Sequence, residues 1–360
     1  RRSDMSANTG QLRGYLDTLL ERQSLSTDDA RNLLVGLTDP ELPPVLVGAL
    51  LVAVRAKGIT PEELRGFALG MRSLARRPHI EPGSAAVDIV GTGGDKSGSF
   101  NISTGAALLA AAAGLPVIKH GNRSVSSRAG SADVLEQLGL KMPLDEAQAA
   151  ACLAATNFTF LFAPHYHPAT KAIAPVRAAL GLRTVFNILG PLCNPAEPQF
   201  HVIGAYDEAT ARLMALALAG LPIRRAFVVH GAGGWDEPTP LGPFLLLDVT
   251  PGHVSESSRS PADYGMPVCR EAELLGGDAA HNAAAMTRVL RGEEWGAHRD
   301  ALVMSAALAL EVSGRATTAR AAAQLATEAI DDGRASAMLA KLAAFSRSAA
   351  EAPAAQAAPR

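Results

Sequence analysis

Gly91-Thr92-Gly93-Gly94-Asp95 follows the apolar run Val87–Val90, and a group of polar residues, Ser99, Asn101, Ser103 and Thr104, comes soon after it. Glycines let backbone N–H groups close around an anion, and a Ser/Thr-capped helix adds its N-terminal dipole. The hydroxyl and amide groups suit phosphate oxygens or a bound cation. Neither common nucleotide signature fits: no Lys-Ser or Lys-Thr closes the turn at the GxxxxGK(S/T) spacing, and Lys96 stands where a Rossmann loop has its last glycine. A second segment, Lys119-His120-Gly121-Asn122-Arg123-Ser124-Val125-Ser126-Ser127-Arg128, runs on to Gly130-Ser131-Ala132-Asp133 after the apolar run Pro116–Ile118. A lysine, paired serines and a Ser131-capped helix again suit a polyphosphate at the end of a strand.

Asp236 and Glu237 close a third glycine-rich stretch, Gly231–Gly234, behind the apolar run Ala226–Val229. Adjacent carboxylates are hard oxygen ligands of the kind that hold Mg²⁺ against phosphates. In a fourth segment, His165 and His167 lack a third partner at zinc spacing, so they are not read as a metal site. Arg177 follows on an expected helix, where its fork of donors would match a carboxylate. Asn187-Ile188-Leu189-Gly190-Pro191 comes next.

The elements that must position these residues change character along the chain. Leu12, Tyr15, Leu16, Leu19 and Leu20 recur at helical spacing, Ser26 can cap a second helix, and Thr60-Pro61-Glu62-Glu63 carries a helix-start signature. Arg76–Gly83 breaks the periodicity. Beyond it, Val87–Val90, Pro116–Ile118, Phe158–Phe162, Val202–Ala205 and Ala226–Val229 alternate with Ala-rich helical stretches, and Phe244–Val249 reads as one further strand. That alternation predicts an α/β fold with a mostly parallel sheet covered by helices, behind a small helical domain.

Composition narrows the function. The 360 residues carry 33 Lys plus Arg against 35 Asp plus Glu, a net charge of −2, so the chain lacks the basic bias of a nucleic-acid binder. Aromatics are 4 % and apolar residues 48 %, which fits a core of small aliphatics. Cys152, Cys193 and Cys269 have no disulfide or zinc spacing. The uncharged stretches contain Asn, Thr and Pro and do not read as membrane spans. No basic segment followed by a hydrophobic core opens the sequence, so a cytoplasmic location is expected.

Taken together and in order, GTGGD (91–95), NIST (101–104), KHGNR with SS and GSAD (119–133), HP…PVR ending at Arg177, NILGPLxNP (187–195) and Asp236-Glu237 resemble the anthranilate phosphoribosyltransferase family of the nucleoside-phosphorylase-like class. The resemblance runs from about Leu12 to Phe345. It implies a 5-phosphoribosyl 1-pyrophosphate (PRPP) site at Gly91, Gly94, Asp95, Ser99, Asn101, Ile102, Ser103, Thr104, Lys119, Gly121, Asn122, Arg123, Ser126, Ser127 and Ser131. It implies anthranilate binding by Gly91, His120, Asn122, Arg177, Gly190 and Pro191, and one or two Mg²⁺ ions on Ser103, Asp236 and Glu237. Lys119 and His120 are the catalytic candidates, and a homodimer through the helical domain is implied. The sequence pattern divides the chain into a helical part, residues 1–80, an α/β part, 81–167 and 191–346, and an expected disordered tail, 347–360; the resemblance implies that about 168–190 fold back onto the helical part. Gly233-Gly234-Trp235, Thr170, Ala172 and His281 depart from residues usual in the family.

Overall fold

The helix-start signature at Thr60 forms as its residue types dictate. Helices α1 (Arg2–Leu20), α2 (Thr27–Leu37), α3 (Pro44–Lys57) and α4 (Pro61–Ser73) open the computed structural model, which describes residues 2–81, 83–95, 97–124 and 128–351. The Thr60 hydroxyl accepts from the Glu63 N–H at 3.2 Å, and the Glu63 carboxylate accepts from the Thr60 N–H at 2.9 Å. That carboxylate, almost wholly buried, also accepts from Lys57 at 2.8 Å and from the Leu25 N–H at 2.9 Å. One cap thus ties α2, α3 and α4 together. Ser26 caps α2 through the Asp29 N–H. Leu12, Tyr15 and Leu19 face the core, whereas Leu20 is left in solvent.

From there strand and helix alternate: β1 (Val87–Gly91), α5 (Ile102–Ala112), β2 (Val117–Gly121), α6 (Ser131–Gln137), α7 (Glu146–Thr156) and β3 (Phe158–Phe162). Three short helices, α8 (Ala163–Tyr166), α9 (Ala174–Leu180) and α10 (Phe186–Leu189), carry the chain to β4 (Phe200–Gly204), α11 (Glu208–Leu218) and β5 (Arg225–His230). The hairpin β6 (Phe244–Thr250) and β7 (His253–Arg259) precedes α12 (Ala279–Leu290), α13 (Ala297–Val312), α14 (Ala319–Asp331) and α15 (Arg334–Glu351). The strands form one sheet in the order β3-β2-β1-β4-β5-β6-β7. The first five are parallel, and β6 and β7 run antiparallel. The expected strands are present. The added β7, HVSESSR, is an exposed edge with no apolar run to announce it. The last helix runs on to Glu351, past the point at which the tail was expected; residues 352–360 lie outside the described residues.

Alternation along the strands splits the interior into two cores. Val202, Phe227, Val229 and Leu246 join α5 and α12–α15 on one face. Ile203, Val228 and Leu247 join α1–α4, α11 and the 173–193 segment on the other. After β3 the chain crosses the sheet, so β1 and β4 are neighbours whose connections leave in opposite directions. Ligands gather in the crevice at the strand ends of such a switch point.

Candidate active site

The β1/β4 switch point is where the first and third sequence segments meet. Gly91 and Gly204 end these strands side by side, and Asp236 crosses them. A Cβ on Gly204 would stand 1.6 Å from the Asp236 carbonyl oxygen, and one on Gly91 would stand 2.4 Å from Asp236 Oδ2. Only a residue without a side chain leaves this room. Asp236 Oδ2 accepts from the Gly93 N–H at 2.6 Å, and the Asp236 N–H donates to Asp95 Oδ2 at 3.3 Å. Glu237 Oε1 accepts from the Ser103 N–H at 3.2 Å, in the first turn of α5. The glycine loop, the NIST turn and the acid pair therefore share one set of hydrogen bonds.

Lys119 and His120 are adjacent on β2 and so point to opposite faces of the sheet. Lys119 turns to the α5 side. It is almost fully buried, and its Nζ donates to the Ile89 carbonyl and to Ser103 Oγ, the latter at 3.2 Å. His120 turns the other way, to the segment carrying Gly190, with Nδ1 at 3.3 Å from the Gly190 carbonyl. A carbonyl can only accept, so Nδ1 carries the proton and Nε2, which is buried without a partner, is the acceptor.

Burial sets the charges. It pushes the Glu237 carboxyl up to about 7 against the pull of Lys119, and the Asp236 carboxyl goes well above its usual range through burial and the nearby Glu237 and Asp95. Burial also lowers the Lys119 ammonium, opposed by Asp88, Glu237 and Asp236. Clustered acids held with a single buried lysine form a site short of positive charge. Among the described residues no three His, Cys, Asp or Glu side chains stand close enough to hold a metal alone. That donor set suits Mg²⁺, which takes one or two carboxylates and completes its shell with phosphate and water.

The remaining expected residues divide. Asn101 donates to the Ala129 carbonyl at 3.1 Å, which joins the NIST turn to the start of α6, where Ser131 lies beside Gly121. Thr104 is buried with an unpartnered hydroxyl, whereas the Ile102 side chain is in the core and its N–H is taken by the Phe100 carbonyl at 2.7 Å. Ser99 bridges to Leu275, and Gly94 is exposed. Asn122 Oδ1 takes the Arg123 N–H. The Arg123 side chain is engaged with Asp133 at 3.0 Å and Glu136 at 2.5 Å. Ser126 and Ser127 lie outside the described residues. Pro191 is buried beside Gly190.

Arg177 sits on α9, with its guanidinium 5.0 Å from the centre of the Phe186 ring, and burial lowers its pKa. Among the described residues no carboxylate pairs with it. Sequence reasoning missed Arg183, which closes the same segment. Its guanidinium donates to the Gly94 carbonyl and lies over the Tyr206 ring at 4.4 Å, so the stretch bearing Arg177 is fastened to the glycine loop. Asp88 was passed over as a strand residue. It is fully buried and accepts from Asn194 Nδ2 at 2.9 Å and from the His120 N–H at 3.2 Å, joining β1, β2 and the NILGPLxNP segment. A carboxylate inside an apolar strand was the available signal, because a buried charge demands partners.

Behind Asp88 lie three buried histidines. Burial holds His120 at about 3, His167 at about 4 and His201 at about 3, below the ordinary 6.5. The unfolded chain binds protons at these rings below about pH 6.5 and the folded protein does not. Their contribution to stability is therefore full above that pH and lost as the pH falls toward the folded values. Each ring adds up to about 1.4 kcal/mol per pH unit in that window. The raised carboxyls act in the opposite sense, so the test is a difference. His201→Leu is expected to flatten unfolding free energy against pH, between about pH 6 and 4, by about that amount relative to the parent chain. Equal slopes in denaturant titrations would show that His201 is not held neutral.

Fold and sequence likeness together place the chain among the glycosyltransferases, with a glycine-rich loop at the strand ends of its α/β domain. Residues 83–336 match the glycosyl transferase family a/b domain, and residues 13–75 match its helical bundle domain. An anthranilate phosphoribosyltransferase of Desulforudis audaxviator is 44 % identical over 334 residues, covering 93 % of this chain and 96 % of its own. The crystal structure of anthranilate phosphoribosyltransferase from Thermus thermophilus is 38 % identical with a TM-score of 0.87, over 92 % of this chain and 99 % of that one. The Saccharomyces cerevisiae enzyme in complex with PRPP and Mg shares the fold at 24 % identity and a TM-score of 0.84, over 94 % and 98 % of the two chains. The chain belongs to the anthranilate phosphoribosyltransferase family.

Proposed function

We infer that the protein transfers the phosphoribosyl group of PRPP to the amine of anthranilate, giving N-(5-phosphoribosyl)anthranilate and pyrophosphate, in tryptophan biosynthesis. The observation that carries this reading is the convergence of Gly93, Asp95, Ser103, Lys119, Asp236 and Glu237 at the switch point. Backbone N–H groups of the glycine loop and the NIST turn, with Ser99, Asn101, Thr104 and Ser131, receive the phosphates. Ser103, Asp236 and Glu237 would hold Mg²⁺, which when bound offsets negative charge on the diphosphate.

At the anomeric carbon the bond to the pyrophosphate oxygen breaks, its electron pair leaving with the pyrophosphate, and a bond to the anthranilate nitrogen forms; the amine proton then released passes to the departing pyrophosphate or to water. The state between carries positive charge on the sugar and negative charge on the leaving group, so positioning and electrostatics dominate. Lys119 faces the leaving diphosphate. The aromatic amine is unprotonated at neutral pH and needs no strong base. His120, neutral at that pH and fixed by Gly190, orients the acceptor; an imidazole titrating at about 3 is a poor proton acceptor. Arg177, with Asn122 and the Gly190-Pro191 turn, holds the anthranilate carboxylate. A homodimer through the helical layer, where Leu20, Val45 and Val52 are exposed, and a cytoplasmic location belong to the same reading. No helix among the described residues is long and apolar enough to cross a membrane.

Mixing the protein with PRPP, Mg²⁺ and anthranilate is expected to remove anthranilate fluorescence, dependent on all three. Unchanged fluorescence, or phosphorolysis of thymidine or uridine instead, would overturn the assignment. Arg177→Ala is expected to raise KM for anthranilate by about tenfold or more while kcat stays within about threefold, because a ground-state contact is lost. A collapse of kcat at unchanged KM would move Arg177 into the chemistry.

A further inference from the structure

Asn282, in Gly276-Gly277-Asp278-Ala279-Ala280-His281-Asn282, is 1 % exposed and lies far along the chain from every residue assigned above. Its Nδ2 donates to Asn101 Oδ1 at 2.8 Å, and its Oδ1 accepts from the Gly277 N–H at 2.7 Å. Asn101 in turn spends its Nδ2 on the Ala129 carbonyl. A backbone donor at one end and a backbone acceptor at the other leave neither amide free to turn over. The same strand of chain is strapped to the glycine loop directly. The Gly276 N–H donates to the Gly98 carbonyl at 2.9 Å, and the Phe100 N–H donates to the Leu274 carbonyl at 3.0 Å. The approach is close enough that a Cβ on Gly276 would lie 2.7 Å from the Ser99 carbonyl oxygen. His281, by contrast, is exposed, and its N–H caps on Asp278, so its departure from an acid leaves this network untouched.

We propose that Asn282 is a positioning residue for PRPP, acting through Asn101 to fix the spacing between the 98–104 turn and the Ala129–Ser131 start of α6. The proposal rests on the reading of Asn101 as part of the PRPP site. Asn282 itself touches no substrate. It orients a side chain that spans both phosphate-receiving segments.

The test is a double-variant cycle of Asn282→Ala and Asn101→Ala, read by steady-state kinetics in both substrates and by calorimetric binding of PRPP with Mg²⁺ in the absence of anthranilate. Asn282→Ala is expected to raise KM and Kd for PRPP by about tenfold, with kcat and KM for anthranilate within about twofold. Added to Asn101→Ala, it is expected to have no further effect, since its influence passes through that residue. A lowered unfolding temperature with unchanged PRPP affinity, or effects that multiply in the double variant, would overturn the proposal. An Asn101→Ala protein with parental PRPP affinity would instead remove the site reading on which it stands. Asn282→Asp covers the case in which the alanine protein does not fold. It keeps an acceptor for the Gly277 N–H but presents oxygen to Asn101 Oδ1, and the same selective loss for PRPP is expected.

Discussion

Lys119→Met is expected to lower kcat by about 10²-fold or more at saturating PRPP, anthranilate and Mg²⁺, by loss of the charge stabilisation proposed for it at the leaving group. The size follows from where the ammonium sits. It is buried on the α5 side of β2, held by the Ile89 carbonyl and Ser103 Oγ, in the field of Asp88, Asp236 and Glu237. Methionine preserves most of the volume and removes the charge, leaving Asp88 buried without its cation. The unfolding temperature therefore falls as well, and kinetics must be measured below the new transition. Single-turnover rates at saturating substrate isolate the chemical step from binding. Near-parental turnover would show that the diphosphate departs without help from this side chain.

Gly204→Ala is expected to reduce kcat/KM for PRPP by about 10²-fold and to weaken activation by Mg²⁺, although residue 204 is not among those assigned to either ligand. The added methyl cannot be accommodated by a rotamer change, because it meets the backbone of Asp236: 1.6 Å to the carbonyl oxygen and 2.6 Å to the carbonyl carbon. The 231–237 loop must shift, and the bonds from Gly93 and Ser103 to the two carboxylates are lost with it. Misplacement of a reacting group by about 1 Å commonly brings a loss of that order. Mg²⁺ titrations of the initial rate, with circular dichroism to confirm folding, provide the check. An unshifted Mg²⁺ dependence would mean that the acid pair does not depend on the close approach of β4.

Much of this arrangement is legible in the sequence. GTGGD and KHGNR sit at strand ends and NIST opens the helix that follows β1, so apolar runs and punctuation already place them in one crevice, and the cap at Thr60 is specified by local chemistry alone. What escapes is what depends on residues brought together from afar. The β7 strand is held by its ladder to β6 and carries no apolar alternation. Arg183 reads as an ordinary arginine after a helix until the fold lays it against Gly94. Arg123 stands within a motif that suggests phosphate, yet its fork is drawn to two acids on the following helix. Asp88, Asn194 and Asn282 are small polar residues whose work is to join segments. Their partners lie 106 residues away for the Asp88–Asn194 bond and 181 for Asn101–Asn282, beyond the reach of any local pattern.

The helical layer shares its apolar interior with one face of the sheet: Leu33, Leu50, Phe67 and Met71 belong to the same cluster as Ile203, Val228 and Leu247. Severing the chain at 76–83 would strip the strands of half their cover and bare an oily surface on both fragments. The two parts are thus inseparable as units of exchange. A graft of another bundle onto these strands is expected to need α11 and the 173–193 stretch with it, since both share that cluster.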